Sequence, residues 1–223
     1  MTYLETVSYY FPEFLKSLKE TGVMLSIATI IGGIFGLVLG LIIYLSRKSG
    51  PSSHPFLYQI SSGYVNVVRS FPFLLLVVTV IPISRLLFGT AFGAFAASFP
   101  LCLVAIAIYA RLVEQVLLDV PKAVSDLADS LGCSTYQFIR YFLLVEARSG
   151  LVLALTSMLI SLVSYSTVMG VVGGGGIGDF AIRYGYQRYE YSVMYSAIVV
   201  MIILVGCLQS LGTRLAKRID KRK

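Results

Sequence analysis

Gly173, Gly175 and Gly178 satisfy the spacing G-x-G-x-x-G, which in a strand–turn–helix setting cradles a dinucleotide pyrophosphate. Here the run VVGGGGIGDF follows a long apolar stretch, belongs to no βαβ unit and has no Lys-Ser/Thr that would make a phosphate loop. It is read instead as a flexible or close-packed turn. Downstream, Tyr184, Tyr186, Tyr189, Tyr191 and Tyr195 cluster with Arg183 and Arg188. Such a cluster is either an interfacial aromatic belt or a patch that receives a docking protein or an amino-acid carboxylate. Gly175, Gly178, Arg183 and Tyr184 are the candidates for docking. His54, the sole histidine, has no acid or serine arrangement beside it and reads as a solvated loop residue. Cys102, Cys133 and Cys207 lie far apart with no CxxC, which indicates neither a metal site nor a disulfide framework and leaves them packing roles.

The elements that must position these residues are membrane helices. The 223 residues are 57% hydrophobic and only 13% charged, with a mean hydropathy of +0.84, too apolar for a soluble domain. A crossing helix needs about 20 mostly apolar residues. Val23–Leu45, Phe88–Ala110, Gly150–Val172 and Tyr191–Thr213 qualify, and a fifth span is expected between Pro55 and Ile83 despite Arg69. None of the five ranges holds Asp, Glu or His, so a proton relay or a membrane-embedded protease has no residues to use. Ser157, Ser161, Ser164 and Thr167, all on one span, either face a pathway or bond within their own helix. So apolar a set of spans predicts a weakly selective pathway. Gly32, Gly36 and Gly40 recur every fourth residue, as a helix-packing face or by accident of composition.

The N-terminus is not a secretory signal, because Glu5 and Glu13 stand where a basic region belongs. Leu4, Val7, Phe11, Phe14, Leu15 and Leu18 repeat at helical intervals, predicting an interfacial amphipathic segment over residues 1–22, although Pro12 threatens its first turns. The membrane domain then covers 23–213 and a basic tail 214–223. Placing that tail in the cytoplasm puts thirteen of the eighteen Lys and Arg inside and the N-terminus outside. The net charge of +7 is thus explained by membrane orientation, and nucleic acid is not implied.

Residues 119–148 form a long cytoplasmic loop that is neither a span nor a linker. Two short helices are expected: Asp119 caps the first, Pro121 opens it and Gly132 ends it, and the Ser134–Gln137 capping box starts the second. Its segment DLADSLGCSTYQFIRYFLLVEA resembles the EAA loop of ABC-importer permeases, with Asp126, Ala128, Gly132 and Leu144 at the Glu, second Ala, Gly and Leu positions. Asp126 in place of Glu keeps the charge, Leu127 replaces the first Ala, and Val145 stands where Pro is usual. NVVRSFPFLLLVVTVIPISRLLFGT and YSTVMGVVGGGGIGDFAIRYGYQRYEYSVM extend the resemblance over nearly the whole chain, to the methionine-importer branch of that family.

The resemblance implies an all-helical type I importer fold with five transmembrane helices, two copies of the chain forming a homodimer in the inner membrane, and two copies of a separate ATPase that bind ATP and magnesium. It also implies an external substrate-binding lipoprotein that sets much of the specificity. Asp126, Leu127, Ala128, Leu131, Gly132, Cys133 and Leu144 are then the residues that couple to the ATPase, and a side chain at Gly132 is expected to disturb docking. The cargo that the resemblance implies is methionine, L or D, with cystine or another small amino acid as the alternative. A passive channel, a scaffold or an intramembrane enzyme are the rivals of other classes, and none of them needs the loop.

Overall fold

The computed structural model describes residues 8–48 and 50–220. Among these the secondary structure is helical: α1 (Phe11–Ser46), α2 (Pro55–Ser70), α3 (Phe73–Phe88), α4 (Ala94–Leu118), α5 (Lys122–Ser130), α6 (Thr135–Gln137), a π-helical segment Phe138–Leu143, α7 (Leu144–Val171), α8 (Gly176–Phe180), a second π-helical segment Ala181–Tyr186, and α9 (Tyr191–Ile219). Leu4 and Val7 of the amphipathic repeat and residues 221–223 of the basic tail lie outside the described residues.

The first span is longer than the hydropathy pattern predicts. α1 runs unbroken for 36 residues, joining the amphipathic stretch to the first apolar span. At about 1.5 Å per residue the helix reaches about 54 Å, well beyond the ~30 Å of hydrocarbon. Pro12 sits in the opening turn, where a missing N–H removes no helical bond. α1, α4, the continuous run Thr135–Val171 and α9 are each long and apolar enough to cross a membrane. The straight span expected over 55–83 is instead two helices, α2 and α3, bent by 113°, and the five spans stand only with this pair counted as one broken span. Phe71 precedes Pro72, which biases it away from helical backbone, and Pro72 supplies no side-chain cap to α3.

The chain divides into two compact units. The first takes the described residues up to Ile30, Phe71–Leu103 and Leu159–Gln209; the second takes Ile31–Ser70, Val104–Met158 and the described residues from Ser210.

In the first unit, Ile177, Phe180, Val193 and Ala197 form a buried cluster covered by Tyr10, Phe14, Leu18, Tyr184 and Met201. Of the described members of the N-terminal apolar stripe, Phe14 and Leu18 therefore serve a protein core, while Phe11 and Leu15 stay about half exposed.

In the second unit, Ile43, Val65 and Ala110 are buried under Leu39, Tyr58 and Tyr64. The glycine row of α1 is a true packing face. Gly32 abuts Ala105, a methyl on Gly36 would lie 2.9 Å from the Tyr109 Cβ, and one on Gly40 would lie 2.7 Å from the Val113 Cβ. The partners on α4 repeat the same four-residue spacing, so the two backbones approach along a shared ridge. The Tyr109 hydroxyl donates to the Leu151 carbonyl at 3.3 Å, tying α4 to α7. α4 runs past the predicted span and brings in Glu114, which is buried and paired with Arg111. The cysteines divide: Cys102 is buried, Cys133 is half-buried and Cys207 is exposed.

Candidate functional site

The loop after α4 is built by local backbone chemistry. Asp119 does not cap α5: its N–H donates to the Gln115 carbonyl at 3.2 Å and so closes α4, while Pro121 occupies the N-cap without a side-chain bond. α5 ends in a Schellman motif, the Gly132 N–H donating to the Asp129 carbonyl at 3.0 Å and the Cys133 N–H to the Ala128 carbonyl at 3.1 Å. This needs a left-handed residue, and Gly132 supplies φ +66°. The capping box then forms, with the Ser134 N–H donating to Gln137 Oε1 at 2.8 Å and the Gln137 N–H to Ser134 Oγ at 3.3 Å. What it starts is not a separate second helix, because α6 passes through the π-helical segment directly into α7.

These turns fold α5 back on the π-helical segment, burying Ala128, Phe138 and Leu143. The outer face is the reverse of a soluble surface. Leu127 is 54% and Leu131 64% exposed, with Tyr136 and Tyr141 also exposed nearby, and Asp126 and Gly132 open to solvent. Cys133 and Leu144 are half-buried. At 100° per residue, Leu127 and Leu131 share one side of α5, and Lys122, Ser125 and Asp129 the other. An apolar helix face outside any membrane-length helix is suited to enter a groove on another protein.

The serine row lies on one side of α7. Ser157 and Ser164 are exposed, and Ser161 and Thr167 half-buried. Thr167 Oγ1 donates to the Ser164 carbonyl at 2.7 Å, so this hydroxyl bonds within its own helix.

The glycine-rich turn is close-packed. A methyl on Gly178 would sit 2.5 Å from the Thr167 Cα, and Gly178 is buried, so it is a packing residue and not a docking one. Glu20 and Thr21 of α1, which the sequence pattern does not single out, satisfy the N-terminus of α8. The Gly176 N–H donates to Glu20 Oε2 at 2.8 Å and the Ile177 N–H to Thr21 Oγ1 at 2.9 Å. An anion at a helix N-terminus is stabilised by the peptide dipoles there. The only sequence signal is their place as the last charged and hydroxyl pair before the apolar run. Gly175, at φ +78°, lines an open cleft of about 460 Å³ with Glu20, Arg183 and Tyr184. Arg183 pairs with Asp179 at 2.9 Å. Arg188 stacks 4.9 Å over the Tyr184 ring and donates to the Tyr10 hydroxyl, which holds its guanidinium above the usual arginine range. Tyr184 is therefore held between Tyr10 and Arg188, while Tyr189 and Tyr191 pair separately.

Long apolar helices carrying a loop with an exposed apolar face define an integral membrane protein with a surface open to another subunit. Residues 32–223 match the family described as binding-protein-dependent transport system inner membrane component. The chain belongs to this family. It is 42% identical over 208 residues to the probable D-methionine transport system permease protein MetI of Vibrio cholerae, covering 93% of this chain and 92% of that one. It is 32% identical to the methionine import system permease protein MetP of Bacillus subtilis, covering 81% and 82%. Among solved structures, an inward-facing MetNI methionine ABC transporter superposes with a TM-score of 0.92 at 35% identity, over 95% of this chain and 98% of that one.

Proposed function

We propose that this chain is the permease subunit of an ATP-driven importer that carries methionine, in its L or D form, into the cytoplasm. Two copies related by a two-fold axis line the pathway, and each loop 119–148 docks one of two separate ATPase subunits, which bind ATP and magnesium. An external binding lipoprotein delivers the amino acid at the cleft beside Gly175, Arg183 and Tyr184. Closure of the ATPase pair draws the loops together and opens the pathway outward as a rigid-body switch. The capping box makes this transmission direct, because α6, the π-helical segment and α7 are one continuous helix. Ser157, Ser161 and Ser164 ease passage along α7, and Asp126 borders the docking face.

The observation that carries the reading is the exposure of Leu127 and Leu131 on a helix anchored from behind by Ala128, Phe138 and Leu143. A passive channel or scaffold has no use for it. The naming of the Vibrio and Bacillus relatives as methionine permeases supports methionine over cystine or another small amino acid. The positive-inside asymmetry supports a cytoplasmic C-terminus and an external N-terminus, with residues 1–22 at the outer surface, 23–213 as the transport domain and 214–223 as a cytoplasmic tail.

The test is Leu127→Lys combined with Leu131→Lys. Capture of the ATPase and uptake of labelled methionine are both expected to fall at least tenfold at unchanged membrane abundance. Normal capture would remove the docking assignment, and uptake of cystine without methionine would reassign the cargo. An impermeant thiol reagent applied to intact cells is expected to label a cysteine placed at the N-terminus and not one placed in the tail; the opposite result would invert the topology.

A further inference from the structure

On the side of α5 turned away from Leu127 and Leu131, Lys122, Ser125 and Asp129 line a cleft of about 510 Å³. Its opposite wall includes Tyr44 and Arg47, at the end of α1. The guanidinium of Arg47 lies 4.5 Å over the Tyr44 ring, so its plane is fixed by stacking. Its Nε is buried and has no hydrogen-bond partner among the described residues. A buried donor left in that state is costly, and native structures normally satisfy it with protein, water or a bound group. The ion pairs Arg111–Glu114 and Arg183–Asp179 involve neither Arg47 nor Lys122. The cleft is thus lined by two cations, Arg47 and Lys122, and one acid, Asp129.

We propose that this cleft binds a phosphate group, held by the fork of Arg47 and the ammonium of Lys122. Arg47 directly follows the last residue of an apolar span, at the level where the phosphates of a bilayer lie, and a fixed, planar guanidinium suits a phosphate's paired oxygens. The occupant braces the back of α5 against the end of α1 and leaves the Leu127–Leu131 face free. Two sources offer this chemistry, the headgroup of an acidic phospholipid and a soluble phosphate ester. The inference rests on the cytoplasmic placement of the loop proposed above.

The test uses the permease purified with its ATPase in nanodiscs of phosphatidylcholine, with or without phosphatidylglycerol, and reads retained lipid by native mass spectrometry. Wild type is expected to retain phosphatidylglycerol in preference to phosphatidylcholine, and Arg47→Gln with Lys122→Gln to weaken that retention at least tenfold. Arg47→Lys, which keeps the charge and loses the fork, is expected to fall between. In the second arm, glycerol phosphate is added to phosphatidylcholine discs; binding there that the double variant loses keeps the phosphate site and assigns it to a soluble ester. Equal retention of both lipids by wild type with no glycerol phosphate bound, or unchanged binding in the double variant, overturns the proposal. So does loss of ATPase capture in the double variant with no lipid preference in wild type, because the cleft would then be filled by the ATPase. Failure of the functional reading is seen separately, as an ATPase that never co-purifies with the unaltered chain.

Discussion

The loop Lys122–Leu143 and the turn Gly173–Tyr186 use the same parts to opposite ends. Each joins glycine-mediated backbone reversal to a helix start and a six-residue π-helical segment. In the loop, Gly132 has open space where a side chain would stand, and Leu127 and Leu131 point into solvent. In the turn, Gly178 leaves no room for a methyl, and Ile177 and Phe180 are buried. Glycine serves conformation in the first region and close approach in the second. The turn is a closed joint whose partners are already in the chain, whereas the loop leaves an apolar face uncovered. Substitution should therefore separate folding from transport in the loop and damage both together in the turn.

The largest effect is expected in the turn. Gly178→Leu drives a side chain into the Thr167 backbone, 2.5 Å from its Cα and 2.6 Å from its carbonyl oxygen, where no rotamer relieves the clash. Overpacking against backbone costs about 3 kcal/mol or more. The monodisperse peak in detergent gel filtration should disappear along with uptake; a folded but inactive protein would show that the joint is looser than drawn.

Next comes Glu20→Ala, which leaves the Gly176 N–H without its acceptor. A lost cap of this kind costs about 1–2 kcal/mol, lowering the thermal midpoint of the purified complex by roughly 2–8 °C. Glu20→Gln keeps an oxygen acceptor and should recover most of that loss. Equal midpoints for the two variants would assign the contribution to charge at the helix N-terminus and not to the hydrogen bond.

The same contrast governs what the sequence reveals. The capping box, the left-handed Gly132 and the apolar spans are local, each written within a few residues, and all are readable. The Gly32–Gly36–Gly40 row is visible as a pattern, but its meaning depends on Ala105, Tyr109 and Val113, more than 70 residues away. Glu20 and Thr21 are hidden for the same reason, since the N–H groups they satisfy lie 156 positions on. Where two local signals compete, the reading fails: Asp119 is a better capping residue than Pro121, yet α4 continues far enough to claim it. At Phe71–Pro72 the breaking signal is present, but the apolar run on both sides hides it. Pro82 and Pro100 lie inside helices, so proline alone does not mark the break.

The smallest effect on stability, and the sharpest test of the comparison, is Gly132→Asp. Asp tolerates left-handed backbone better than most residues, and nothing lies within 4 Å of a Cβ built there, so the fold should lose no more than about 1 kcal/mol. Transport should nevertheless fall at least tenfold, because the carboxylate enters beside Leu131 on the apolar face proposed to receive the ATPase, where an unpaired charge is desolvated on docking. Gly132→Val is the complement: it adds no charge but opposes φ +66°, so its thermal midpoint should drop further than that of the Asp variant. If Gly132→Asp folds and transports normally, the docking face ends at Leu131 and the glycine serves backbone conformation alone. If it fails to fold, open space at position 132 is not what distinguishes the loop from the turn.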